Sequence, residues 1–127
     1  MFKKCLTLHN LLERARSIIS GGLVASAHEI LEVSAHLKFF PAQRNLRKQL
    51  VGLAYAKLSR DNHADFGTYF TLYRQALELY IFDKEYNPRI ARFAARQMQR
   101  LSTKASKYSR KTEQCLKDLR RAGVAIA

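Results

Sequence analysis

The chain has 127 residues, 47% of them hydrophobic, which is enough for one domain whose core needs neither disulfides nor metal. Its 23 Lys and Arg outnumber its 10 Asp and Glu, which gives a formal net charge of +13 and favours a polyanionic partner. No apolar run reaches the roughly 18 residues of a membrane-spanning helix, so a transmembrane protein is excluded.

The two cysteines and the N-terminus indicate a cytoplasmic protein. Cys5 and Cys115 lie at opposite ends of the chain and lack the dense spacing of a secreted disulfide scaffold, so we expect free thiols. His9 and Asn10 interrupt the apolar opening, and no small-residue cleavage site follows, which argues against a secretory signal. An organellar presequence over Met1–Gly22 stays open.

Apolar residues recur every three or four positions, and alternating strand patterns are absent, so the sequence predicts an all-α fold. We expect a single-domain bundle of five or six helices over residues 1–127, with residues 1–86 as a helical support. Ser26 and Glu29 match a capping box, which favours a later start for the second helix. The first four predicted helices are Leu6–Ile19, Leu23–Phe39, Pro41–Leu58 and Ala64–Lys84, with the polar run Ser59–Ala64 as the clearest loop.

Aromatic residues line one face of the fourth predicted helix. Such spacing is typical of a core stripe, and base stacking is the alternative. The residues on this face are Phe66, Tyr69, Phe70, Tyr73, Leu77 and Tyr80.

The C-terminal third predicts a long amphipathic helix over residues 87–122. Asn87 and Pro88 are a strong helix start, and neither Gly nor Pro interrupts the chain from there to Arg121. One helix of about 50 Å is the favoured interpretation, and two helices meeting near Ser102–Ser109 are the alternative. The predicted buried face consists of Ile90, Ala94, Met98, Leu101, Ala105, Tyr108, Cys115, Leu116 and Leu119.

Basic residues occupy the opposite face of this predicted helix. From Arg89 to Ala127 there are eleven basic and two acidic residues, for +9 of the total +13. Like charges at helical spacing repel by about 0.2–0.5 kcal/mol per pair, and a phosphate chain would relieve that repulsion. The predicted phosphate-binding residues are Arg89, Arg92, Arg96, Arg100, Lys104, Lys107, Arg110 and Lys111, and a smaller basic cluster at Arg44, Arg47 and Lys48 extends the prediction.

No motif in the chain predicts catalysis, a cofactor or a metal. His28, Glu32 and His36 recur every four residues, but three ligands down one straight helix fan out over two turns, so a solvated polar face is the better interpretation. Phosphate-binding glycine loops, nucleophile elbows and paired carboxylates are absent from the sequence. We therefore expect a non-catalytic accessory protein that contacts DNA or RNA backbone and other protein subunits, and no membrane.

Two resemblances to known families accompany this prediction. Val51, Gly52 and Tyr55 resemble the first-helix pattern of a tetratricopeptide repeat, although Lys48 stands where the aromatic belongs. Ala76, Tyr80 and Pro88 resemble the second-helix pattern, although the Ser59–Phe66 region makes the spacing too long. The match covers about a third of the chain and implies a helical adaptor for an acidic protein partner.

The second resemblance is architectural. A short, basic, all-helical chain with segments such as Leu50–Asp61 and Phe66–Tyr80 is similar in style to the small helical subunits of CRISPR effector complexes. That resemblance implies a subunit that holds nucleic-acid backbone without cutting it.

Overall fold

The computed structural model describes residues 7–61 and 63–125, and all regular structure within these ranges is helical. The predicted all-α fold is thus confirmed. Cys5 and the start of the first predicted helix at Leu6 lie outside the described residues. The helices are α1 (Leu8–Ile19), α2 (Ala27–Leu37), α3 (Arg44–Arg60), α4 (Phe66–Phe82), α5 (Arg89–Lys104) and α6 (Ser109–Arg121), with 3-10 turns at Pro41–Gln43 and Ser106–Tyr108.

The chain divides into two compact units, residues 1–62 and 63–127. The boundary falls inside the predicted loop Ser59–Ala64. Each unit contains three of the helices, α1 to α3 in the N-terminal unit and α4 to α6 in the C-terminal unit. The prediction that all 127 residues form one domain stays a prediction.

In the N-terminal unit, local signals set the ends of α1 and α2. The capping box is present: the Ser26 hydroxyl accepts from the Glu29 backbone N–H at 3.2 Å, and the Glu29 carboxylate accepts from the Ser26 backbone N–H at 3.0 Å. The second helix therefore begins at Ala27, the later start that this motif favoured. Gly21 follows α1 with a φ of +84°, a conformation that few residues other than glycine adopt.

The core of the N-terminal unit lies between the apolar faces of its three helices. Helix α2 packs on α3, and α1 packs on both. The fully buried large side chains of this unit are Leu11, Ile30, Leu31, Val33, Leu37, Leu50 and Val51.

In the C-terminal unit, α4 packs on α5, and α5 packs on α6. Of the predicted aromatic stripe on α4, Phe66, Tyr69, Tyr73 and Leu77 are buried, as predicted, whereas Phe70 and Tyr80 are only half-buried. The Tyr73 hydroxyl donates a buried hydrogen bond of 2.8 Å to the Cys115 carbonyl, which ties α4 to α6.

Cys115 is a buried free thiol. Burial raises the pKa of this thiol to about 11, and burial likewise raises the pKa of the Tyr73 hydroxyl above its usual value. Both groups therefore keep their protons at neutral pH. Because the thiolate is the reactive form, the burial of Cys115 and its raised pKa lower the reactivity of this thiol.

The predicted single helix over residues 87–122 is wrong. Helix α5 ends at Lys104, Ala105 is extended with φ −143° and ψ 107°, and α6 begins only at Ser109 after a 3-10 turn. The alternative of two helices meeting near Ser102–Ser109 matches the structure. The basic residues after Asn87 consequently do not lie on one continuous rod.

Two kinds of side-chain contact accompany the break. The Ser102 hydroxyl donates to the Gln99 carbonyl at 2.8 Å, and the Thr103 hydroxyl donates to the Arg100 carbonyl at 2.7 Å. Serine and threonine side chains that bond to the backbone in this way offer it an alternative to continued helix. The turn that follows also brings the ring of Tyr108 onto the ring of Phe66, a tertiary contact that a straight helix would forgo.

Candidate nucleic-acid interface

Five of the eight predicted C-terminal cations share one face of α5. Positions 89, 92, 96, 100 and 104 are three or four residues apart, and this spacing places them on one side of a helix. The opposite face carries Ile90, Ala94 and Met98, which are buried as predicted. We call this set of five cations the α5 basic face: Arg89, Arg92, Arg96, Arg100 and Lys104.

The side chains of the α5 basic face differ in exposure. Arg89, Arg96 and Lys104 are exposed, whereas Arg92 and Arg100 are half-buried. The Arg100 guanidinium donates through Nε to the Gln97 side-chain oxygen at 2.9 Å. The buried Nε of Arg92 has no hydrogen-bond acceptor among the residues that the structure describes. Three cations on this face thus project into solvent, and two lie closer to the protein.

Carboxylates are absent from the sequence that carries this face. The sequence has no acidic residue between Glu85 and Glu113. Within the described part of the chain, no carboxylate lies at ion-pair distance from Arg89 or Lys104. Helix α5 also repeats like charges at a spacing of four along Arg92, Arg96, Arg100 and Lys104, which destabilises the isolated helix by about 0.2–0.5 kcal/mol per pair.

The remaining C-terminal cations lie on other elements of the same unit. Lys107 belongs to the 3-10 turn, and Arg110 and Lys111 belong to the first turn of α6. All three are exposed. The Lys107 ammonium lies 5.2 Å from the ring centre of Tyr108, and the Lys111 ammonium lies 4.5 Å from the ring centre of Phe70. The helix break thus separates these cations from the α5 basic face.

The smaller predicted cluster lies in the N-terminal unit, at the start of α3. Arg44 and Lys48 are half-buried, and Arg47 is 6% exposed. Because Arg47 is buried, its guanidinium is not accessible to a phosphate chain, contrary to the prediction. Arg47 lies one turn before the buried Leu50 and therefore on the core side of α3. The charges of Arg44, Arg47 and Lys48 had instead suggested an exposed face.

One cation that the sequence interpretation overlooked is Arg74. It follows Phe70 by four residues on α4, and its guanidinium carbon lies 5.7 Å from the Phe70 ring centre. The spacing of four was a usable signal, because such residues are neighbours on a helix surface. The approach of Lys111 to the same ring had no sequence signal, since it depends on the break at Ala105.

Metal-ligand clusters and membrane-spanning helices are both absent from the described ranges. In residues 7–61 and 63–125, no three His, Cys, Asp or Glu side chains are grouped as a metal would require. His28 is exposed, and Glu32 and His36 are half-buried on α2. None of the helices in the described ranges is both long and apolar enough to cross a bilayer.

Comparisons of the chain with models of protein families, with curated proteins and with solved structures find no match.

Proposed function

We propose that the chain is a non-catalytic nucleic-acid-binding protein that holds phosphate backbone against the α5 basic face. The observation that carries the proposal is five cations on one helix face, in a stretch of sequence without a single carboxylate. Arginine forks match phosphate oxygens in a bidentate geometry, and four of the five cations are arginines.

The dimensions of the α5 basic face suit a phosphate chain. Arg89 and Lys104 are fifteen residues apart, which corresponds to about 22 Å of helix. This length is sufficient for several successive phosphates of a strand to lie beside the five cations. Because such contacts are to backbone, binding is expected to depend little on base sequence. The role that fits is an accessory subunit of a cytoplasmic nucleoprotein complex.

A second candidate function is a helical adaptor that docks on an acidic protein. It is favoured by two exposed phenylalanines, because aromatic residues are enriched at protein interfaces. Phe39 is 71% exposed and Phe82 is 64% exposed. The adaptor would use the same cations against carboxylates.

Fluorescence anisotropy with three labelled polyanions separates the two functions. The probes are a 20-nucleotide single strand, a 20-base-pair duplex and polyglutamate of matched charge. The proposal predicts binding to the nucleic acids with a Kd of about 10⁻⁴–10⁻⁶ M at physiological salt, the range of sequence-independent binders. Binding to polyglutamate that equals or exceeds binding to both nucleic acids would contradict it and support the adaptor.

A further inference from the structure

Three aromatic rings of the C-terminal unit form a parallel stack, which we call the aromatic stack: Phe66, Phe70 and Tyr108. The rings of Phe66 and Tyr108 lie 4.1 Å apart with an interplanar angle of 5°, and those of Phe66 and Phe70 lie 6.4 Å apart at 7°. Phe66 is buried at the centre, whereas the two outer residues are half-buried. Parts of both outer residues are therefore accessible to a ligand.

Three cations surround the outer rings of this stack. Lys111 and Arg74 lie 4.5 and 5.7 Å from the ring centre of Phe70, and Lys107 lies 5.2 Å from that of Tyr108. All three cations are exposed. The carboxylate of Asp65, the residue before Phe66, forms the N-cap of α4. Its Oδ1 accepts hydrogen bonds from the Thr68 backbone N–H and hydroxyl at 2.9 and 2.7 Å. The two outer rings of the aromatic stack thus each have at least one cation within 6 Å of the ring centre.

We propose that the aromatic stack binds an unpaired base of single-stranded nucleic acid, while Arg74, Lys107 and Lys111 bind the flanking phosphates. This inference rests on the proposed function and specifies the class of nucleic acid. Proteins that bind single strands combine aromatic rings, on which bases stack, with a cationic surface that follows the backbone. Phe70 supplies the aromatic ring, and Arg74 and Lys111 beside it supply the positive charge.

The exchange of partners on Phe70 is energetically reasonable. A cation over a ring at an exposed site is a weak contact, and stacking of a base on an aromatic side chain is stronger. A base that settles on the ring therefore displaces Lys111 towards the neighbouring phosphate, where its charge is better compensated. A base inside a duplex has both faces covered by its neighbours, so the site selects single strands.

Two single-strand probes of equal length and charge test this inference, namely oligothymidylate and the same backbone without bases. Wild-type protein is expected to bind oligothymidylate about tenfold more tightly. Phe70→Leu and Tyr108→Leu keep an apolar side chain but remove the ring, and each is expected to reduce this preference towards onefold. Phe70→Tyr keeps the ring and is expected to keep the preference, which controls for a leucine variant that fails to fold.

Phe39→Leu is the matched control. Phe39 is exposed and has the Lys38 ammonium 5.8 Å from its ring centre, but it is not part of the aromatic stack, so its loss is expected to leave the preference unchanged. Equal binding of both probes by the wild type would overturn the inference and leave the proposed function standing. Absence of binding to either probe would overturn the proposed function and the inference with it.

Discussion

Replacing Arg89, Arg96 and Lys104 together with glutamine is expected to lower the affinity for a single strand about hundredfold at 0.1 M salt. These are the three exposed members of the α5 basic face. Each lost contact between a cation and a phosphate of a single strand reduces the steepness of log affinity against log salt by about 0.7. Three lost contacts therefore lower the affinity by roughly two orders of magnitude at this salt. Glutamine has a helix propensity close to that of arginine and lysine, so α5 is expected to persist.

The control for this variant removes the same charge from the other unit. Arg16, Lys38 and Arg60 are exposed, and their replacement by glutamine also lowers the net charge by three. This control changes only the overall electrostatic field of the protein, so we expect it to lower the affinity by less than about fivefold. Anisotropy titrations with one labelled single strand compare the two triple variants. Equal losses would mean that total charge binds the strand, and not the α5 basic face.

Leu79→Ala is expected to lower the free energy of unfolding by about 2–5 kcal/mol. Leu79 is fully buried on α4, the helix that packs on α5, and truncation of a buried leucine removes apolar contacts and leaves a cavity. Urea unfolding followed by circular dichroism measures the change. Ile81→Ala on the same helix is the control: this side chain is 54% exposed, so its loss is expected to cost less than about 1 kcal/mol. A small effect at Leu79 would contradict the packing of α4.

Residues with a local physical signal were predictable from sequence. The Ser26 and Glu29 pair set the start of α2, because capping is decided within a few residues. Asn87 was also a correct start signal, since its side-chain oxygen accepts from the Arg89 backbone N–H at 3.0 Å. The α5 basic face was predictable from the three- and four-residue spacing of its cations, because the position of a residue along a helix determines the direction of its side chain.

Features that depend on tertiary contacts were not predictable. The apolar stripe continues in register past Lys104, so periodicity favoured one helix and left two helices as the alternative, whereas in the structure hydroxyl-to-carbonyl bonds precede the break and Tyr108 stacks on Phe66 after it. The burial of Arg47 is of the same kind, because its charge suggested exposure while its neighbours on α3 place it in the core. Only the fold determines which long side chains are covered.

The most direct test of the α5 basic face is the salt dependence of wild-type binding to a single-stranded oligonucleotide. If its five cations each neutralise one phosphate, the α5 basic face alone contributes about −3.5 to the slope of log affinity against log salt, and the three cations around the aromatic stack make the slope steeper. Anisotropy titrations from 0.05 to 0.3 M salt, as an approximate range about the physiological value, measure that slope. A slope of about −3.5 or steeper is the predicted result, and an affinity that does not change with salt would contradict phosphate binding by α5.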